Sequence, residues 1–261
     1  DASVGTDTLT GIERVVGSGF DDTFTADGGF AASNGSFNEF EGAAGNDVVT
    51  GNGNTRISYS GATSGVTVDL EAGTATGDAS VGTDTITGGV RHVRGSSFDD
   101  FLLGSTAGGE RFRGQGGDDL IYGGGGREDT ADYSFDPTAV FVDLGSNLAQ
   151  DGFGGTDTLF SIDRVEGSAF ADTLIGDSGE NVLVGNGGDD LIDGDGEFDT
   201  ASYYNATAGI VVSLSAVSTV MGDGSVGTDT LIDIERIYGS DHDDVFIADV
   251  SFSALFGSFN D

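Results

Sequence analysis

Apolar residues along this chain come two or three at a time, separated by Gly-rich acidic hinges. From Gly167 to Tyr203 the sequence reads GSAFADTLIGDSGENVLVGNGGDDLIDGDGEFDTASY. Asp172, Asn181, Asp190 and Asp199 follow one another at intervals of nine, and two residues after each stands Leu174, Leu183, Ile192 or Ala201. A period of nine is too long for a hairpin and does not fit the 3.6 residues of a helical turn. It suits half a coil of a solenoid with parallel stacked turns, each unit being a turn, an oxygen-bearing side chain and a very short strand. No stretch reads as a helix, since glycine, 47 residues in all, punctuates nearly every ten residues and caps followed by a 3.6-residue pattern are missing.

A longer period contains the short one. The phrase GTDT begins at Gly5, Gly82, Gly155 and Gly227, which divides the chain into long repeats 1–77, 78–150 and 151–222 and a partial fourth, 223–261. No linker composition separates them, so one continuous solenoid is expected. After each GTDT, the columns Ile12, Val90, Ile162, Ile234 and Val15, Val93, Val165, Ile237 are predicted to face inward. Between them Arg14, His92, Arg164 and Arg236 form a basic row, read as a solvent-facing ladder of charge pairs, with a glycan-binding stripe as the alternative. Phe20, Phe98 and Phe170, with His242 in the fourth copy, predict a stacked core or edge ladder. Each repeat closes with Tyr59, Tyr133 or Tyr203 and then a half-buried strand beginning at Val66, Val140 or Ile210. Extra residues around Gly28 to Gly35 predict a loop bulging from one edge.

The hinges carry the candidate chemistry. The fullest unit is Gly185-Asn186-Gly187-Gly188-Asp189-Asp190-Leu191-Ile192-Asp193; others run from Gly42 to Val49 and from Gly114 to Ile121, with looser copies before Asp22, Asp100, Asp172, Asp199 and Asp244. Calcium takes six to eight hard oxygens and accepts backbone carbonyls beside carboxylates, while glycine permits the positive φ that aims carbonyls into a tight turn. One carboxylate at each turn's exit then adds charge without crowding. The metal ligands expected from the pattern are Asp47, Asp119 and Asp190, then Asp100, Asp129, Asp172, Asp199, Asp22 and Asp244. Asn38 and Asn181 would supply neutral oxygens, and Gly42, Gly114, Gly116, Gly185 and Gly187 the turn carbonyls. Asp118 and Asp189 are either second ligands or solvent-facing. Asp7, Asp84, Asp157 and Asp229 of GTDT are either further ligands or Asx-turn residues. An EF-hand is excluded, because Phe198 stands where that loop needs Gly.

Charge narrows the partners. Nine basic residues, all Arg, face 45 acidic ones, for a net charge of −36. Such a chain repels itself without counter-ions and is a poor partner for nucleic acid or an anionic membrane. No apolar run is long enough to insert in a bilayer, and cysteine is absent. The chain opens without a signal sequence and ends inside a motif, as expected for a segment of a longer protein. HExxH and GxSxG do not occur, and Thr138 follows the single Asp136-Pro137 pair, so no catalytic constellation is expected.

The nonapeptides resemble the pattern GGxGxDxUx of the RTX, or hemolysin-type calcium-binding, repeat family, with Asn186 in place of the second Gly. The resemblance implies an all-β, right-handed parallel β-solenoid, with roll turns joined by wider coils and multiple Ca2+ ions between turns. It also implies export in an unfolded state by type I secretion and folding outside the cell. The function expected is a calcium-dependent extracellular structural or adhesive segment of a large secreted or surface protein, of adhesin or surface-layer type. Extracellular polysaccharide or neighbouring copies of the chain would be its partners. The alternative is the accessory secretion and folding region of a secreted enzyme or toxin whose catalytic domain lies outside this chain. A site with a dissociation constant of about 0.1 mM adds roughly 1.4 kcal/mol in about 1 mM calcium. Ten or so would add on the order of 14 kcal/mol, comparable to the stability of an ordinary domain.

Overall fold

A computed structural model describes residues 12–27, 38–215 and 217–248. Their regular structure is β-strand throughout, mostly in pieces of three to five residues. Among the described residues no helix is long and apolar enough to cross a membrane. The chain alternates between a ten-stranded and a sixteen-stranded sheet. In the second repeat Val90–Arg94, Arg111–Arg113 and Thr130–Asp132 lie in the first sheet, and Phe101–Leu103 and Leu120–Tyr122 in the second. Successive coils pair in parallel and in register, with Phe112 opposite Val93 and Ala131, and Leu102 opposite Val68 and Ile121.

The three-residue strands follow from the hinge spacing. With period-two alternation only the middle side chain of such a strand points inward, and these are the apolar ones. Leu102, Phe112, Ile121, Ala131, Leu174, Leu183, Ile192 and Ala201 are all buried and form one cluster between the sheets. The core is a stack of single residues, so each is packed by its counterparts in the coils before and after it. The fold class is the parallel β-solenoid that the nine-residue period predicts.

The segments between the roll turns take a form that the periods do not reveal. Phe141–Asp143, Leu148–Gln150 and Thr156–Phe160 are an antiparallel meander spliced into the wider sheet. Its last strand lies parallel to Leu120–Tyr122 of the coil before, and its first lies parallel to Thr173–Ile175 of the coil after. The same insertion recurs at Thr67–Asp69, Thr74–Thr76 and Thr83–Thr87, and at Val211–Leu214, Ser218–Met221 and Thr228–Ile232. Tight turns cause the reversal: in the first the Ala72 N–H donates to Asp69 Oδ1 at 2.8 Å, and Gly73 adopts φ +68°. Between equivalent coils one sheet therefore advances three strands where the other advances five. That mismatch, about 10 Å at the usual strand spacing, must be taken up by splay or twist of the coils.

Several predicted columns are placed differently. Val90, Val93, Ile162 and Val165 are buried as predicted, Val15, Ile234 and Ile237 pack partly against the core, and Ile12 is exposed. Phe20, Phe98 and Phe170 do not enter the core; they are 79%, 45% and 45% exposed at turn tips. Hydrogen bonds from Ser18, Ser96 and Ser168 to the Asp four residues on tighten those turns and hold the ring outside. Of the basic row, Arg14 and Arg164 make charge pairs, joined on neighbouring strands by Arg56 and Arg111, whereas burial lowers His92 to about 3 and Arg236 lies over the Phe198 and Tyr238 rings. Arg14 pairs with Glu39 and Glu41, Arg56 with Glu39, Arg111 with Asp132 and Glu166, and Arg164 with Glu166. The predicted loop at Gly28 to Gly35 lies outside the described residues. Truncating the stacked core should cost more than truncating the sheet's outer face: Phe112→Ala is expected to lose about 3 to 5 kcal/mol, and Tyr122→Ala, which is half exposed, well below that, in denaturant unfolding at saturating calcium.

Candidate metal centres

At one edge of the solenoid the units beginning at Gly42, Gly114 and Gly185 turn the chain from the narrow sheet into the wide one. The second position of each turn takes a left-handed φ, +66° at Ala43, +80° at Gln115 and +65° at Asn186. The next left-handed position is Gly45, Gly117 or Gly188, one residue beyond the predicted Gly116 and Gly187. There a Cβ would meet the carbonyl of Phe20, Phe98 or Phe170 in the coil before, so a side chain would collide with backbone. Five residues after the first glycine, Asp47, Asp119 or Asp190 folds its carboxylate back beneath it, against the space a Cβ would need.

These carboxylates build a ladder. Asp47, Asp119 and Asp190 each accept at Oδ1 the backbone N–H of Asp22, Asp100 or Asp172, at 2.8 Å in every case. Their own N–H groups donate to Oδ1 of Asp84, Asp157 and Asp229 at 2.9, 3.0 and 3.0 Å. The Tyr59 and Tyr133 hydroxyls close the first two ladders by donating to Asp84 and Asp157 Oδ2 at 3.0 and 2.9 Å, and Tyr203 packs against Asp229 in the third. The opposite edge carries a second set. Asp129 Oδ1 accepts the Glu110 N–H at 2.9 Å, and Asp199 Oδ1 the Asn181 N–H at 2.8 Å. Asn181 Oδ1 accepts the Asp177 N–H, and Asn38 is buried at the start of its strand.

The second carboxylate oxygen divides the predicted ligands. In Asp22, Asp100, Asp172 and Asp244 it accepts the N–H of the serine four residues earlier, at 2.6, 2.6, 2.5 and 2.9 Å, and the serine hydroxyl adds a further bond. In Asp47, Asp119, Asp129, Asp190 and Asp199 the second oxygen is buried with no donor. Asp118 and Asp189 are occupied otherwise, accepting the N–H of Thr156 and Thr228 one coil on.

Carboxylates of one coil and carbonyls of the next converge on single points. Beside Gly17 the Gly42 carbonyl and Asp22 Oδ2 lie 2.5 and 2.6 Å from one Cβ position; on the other edge the Asp233 carbonyl and Asp199 Oδ2 crowd the corresponding point of Gly194. The Gly123 and Gly194 carbonyls likewise approach Glu110 Oε2 and Asn181 Oδ1. Among the described residues no three acidic or histidine side chains gather tightly enough to hold an ion by themselves. An oxygen set of one carboxylate with backbone carbonyls fits a hard cation such as calcium and offers nothing to a soft one.

Burial sets the electrostatics. It pushes Asp119 up to about 9, with the Asp157 charge adding to it, and Asp190 up to about 8 despite the bond from Asp172. Asp199, Asp157 and Asp229 are raised to about 7, and Asp129 and Asp172 to about 6, in each case chiefly by burial. A divalent cation among them would remove the reason for holding those protons.

The model of the RTX calcium-binding nonapeptide repeat matches the chain in four copies, at residues 34–55, 104–128 and 166–201. The chain carries RTX calcium-binding nonapeptide repeats. Its repeats bind calcium between turns, several ions to the chain. No curated protein is similar enough to match it. The RTX matches take in Asp47, Asp119, Asp190 and Asp199, whose second oxygens lack donors, together with the serine-bound Asp172, and leave out the serine-bound Asp22, Asp100 and Asp244 and the donorless Asp129.

The GTDT aspartates are the residues whose role the sequence left open. Asp84, Asp157 and Asp229 each accept at Oδ1 the amide of the aspartate in the coil before, and Asp229 Oδ2 is itself buried without a donor. Alternation in Thr83–Thr87 placed Asp84 on the same inward face as Ile86, a signal legible in the sequence. Asp7 lies outside the described residues.

Two expectations follow. Asp119→Asn should weaken calcium uptake on the order of tenfold at one site, about 1.4 kcal/mol, whereas Asp100→Asn, at a serine-satisfied carboxylate, should change it little; calorimetric titration of both distinguishes them. In chelator the raised aspartates make the folded chain bind more protons than the unfolded one, whose carboxylates titrate near 4. Its stability is therefore fullest at about pH 4 and is lost as pH rises through about 6 to 9. Far-ultraviolet circular dichroism should show β-structure appearing on acidification from pH 8 to about 4.5 without metal, and no such dependence at saturating calcium.

Proposed function

We propose that this chain is a calcium-folded, non-catalytic structural or adhesive segment of a secreted or surface protein that acts outside the cell. The observation that carries the reading is the repeated, buried carboxylate oxygen without a donor, at Asp47, Asp119, Asp129, Asp190 and Asp199, on both edges of the solenoid. An isolated buried carboxylate costs several kcal/mol, so a fold that repeats it along its length depends on a cation supplied from outside. Millimolar calcium is a condition of extracellular fluids, and the −36 charge acts in the same direction by opposing compaction until counter-ions bind. The coils stack into an extended ladder in which each contacts its neighbours, the arrangement of a spacer or a repeated binding surface.

Neighbouring copies or an extracellular polysaccharide are the partners we favour. The outer face of the narrow sheet supports the second. Arg113 lies over Phe135, Arg164 over Tyr204, and Arg236 over Phe198, combining guanidinium with aromatic rings that stay partly exposed.

The deciding measurement is a calcium titration of the chain followed by far-ultraviolet circular dichroism, with magnesium as the control. A cooperative gain of β-structure between submillimolar and millimolar calcium, with several ions bound, is expected, and magnesium should not reproduce it. A chain already fully folded in chelator at pH 7.5 would rule the reading out.

A further inference from the structure

The three long repeats differ at one buried place. In the first, Asp78 is exposed and its carboxylate is bridged by hydroxyls: the Ser80 N–H and Oγ at 2.8 and 2.5 Å, and Thr63 Oγ1 at 2.8 Å. The third repeat copies this with Asp223, Ser225 and Thr207, at 2.9, 2.5 and 2.8 Å. In the second repeat Phe153 stands where the others have Ser80 and Ser225, Pro137 where they have Thr63 and Thr207, and Asp136 where they have Ala62 and Ala206. Both hydroxyl donors are gone and a second carboxylate has been added.

The two acids, Asp136 and Asp151, are 5% and 6% exposed. Backbone amides hold one side of each. The Gly152 N–H donates to Asp136 Oδ2 at 2.8 Å, and the N–H groups of Phe153, Gly154 and Gly155 donate to Asp151 Oδ1 at 3.0, 2.6 and 2.6 Å. Asp151 Oδ2 is buried and has no donor. It lies 2.9 Å from the point a Cβ on Gly155 would occupy, and the Gly117 carbonyl closes on the same point. The Asp151 charge bears on Asp119, Asp136 and Asp157 alike, and burial, with that charge, pushes Asp136 up to about 7. Pro137, the chain's one proline, fixes its own φ and restricts the residue before it, so Asp136 is held in place before any ligand arrives.

We propose that Asp136 and Asp151, with the Gly117 carbonyl, form a calcium site peculiar to the second repeat, additional to those of the Gly/Asp turns. The ligands are hard oxygens only, two carboxylates and a carbonyl, with water completing the shell, which selects calcium over thiophilic or nitrogen-seeking metals. Amides fix one oxygen of each carboxylate and leave acceptor capacity for the ion, whereas in the sister repeats hydroxyl protons fill that role.

The test counts calcium on the full chain. Asp136→Ala, Pro137→Thr and Phe153→Ser together restore the hydroxyl bridge of the other repeats, so the variant has a local structure this fold already uses twice. Equilibrium dialysis at saturating calcium should find one ion fewer than in the wild type, with an unchanged circular dichroism spectrum. The single Asp136→Asn variant, which keeps the side chain's shape, should also lose one ion. The reverse exchange in the first repeat, Ala62→Asp, Thr63→Pro and Ser80→Phe, should gain one. Equal counts for the wild type and the first two variants would overturn the site and mean that the two acids share a proton. A wild type that takes up no calcium would instead refute the roll reading itself.

Discussion

The structure depends on acceptor oxygens brought together where no proton stands between them. A parallel solenoid with three-residue strands has little side-chain core for each coil, and at its turns the backbone carbonyls point toward the next coil. Adding one aspartate to each turn gives the amide of the preceding coil a partner, as Asp119 does for Asp100 and Asp190 for Asp172. It also leaves a second carboxylate oxygen inside the turn. Where Ser96 or Ser168 supplies an N–H and a hydroxyl, the turn is complete within the chain. Where no serine stands, as around Asp119 and Asp190, the second oxygen is buried without a donor, and there we place the cation.

The two kinds of turn alternate along one edge, so coils with a donorless oxygen are flanked by coils that hydrogen bonds already satisfy. The Tyr133 hydroxyl on Asp157 ends a ladder by the same logic, with a phenolic proton on the second oxygen that the Ser96 amide fills in Asp100. Calcium, serine and tyrosine are three ways of neutralising one repeated problem, and their order along the chain determines where the fold depends on its surroundings. The meanders add a geometric consequence. They lengthen one sheet relative to the other, so the ladder edges are not equivalent in the spacing of their coils.

The arginines address the remaining charge. On the outer face of the narrow sheet Arg111 and Arg113 pull Asp132 well below the ordinary carboxylate range, overcoming the burial that opposes them. Arg111 spans to Glu166 as well, tying three successive strands together. Exposed pairs of this kind contribute little singly; these are half-buried and shared, and they spare the narrow sheet the like-charge repulsion that dominates the rest of the surface.

The sequence by itself determined the repeat, the class of fold and the chemistry of the metal. Gly and Asp at intervals of nine leave the chain few choices besides a stacked turn, and carboxylates without thiols or histidine clusters leave few choices besides a hard cation. Asp47, Asp119 and Asp190 were legible for that reason. Tertiary structure alone decided which aspartates keep an oxygen without a donor, because that depends on whether a serine or a neighbouring coil reaches it, and Asp100 and Asp119 look alike in sequence. It also decided that the segments after Tyr59, Tyr133 and Tyr203 form antiparallel meanders, since short alternating strands fix a face but not a partner. The pairing of Asp136 with Asp151 was likewise invisible along the chain. Fifteen residues separate them, and only the turn between two strands of the meander brings both against consecutive backbone amides, Gly152 for Asp136 and Phe153, Gly154 and Gly155 for Asp151.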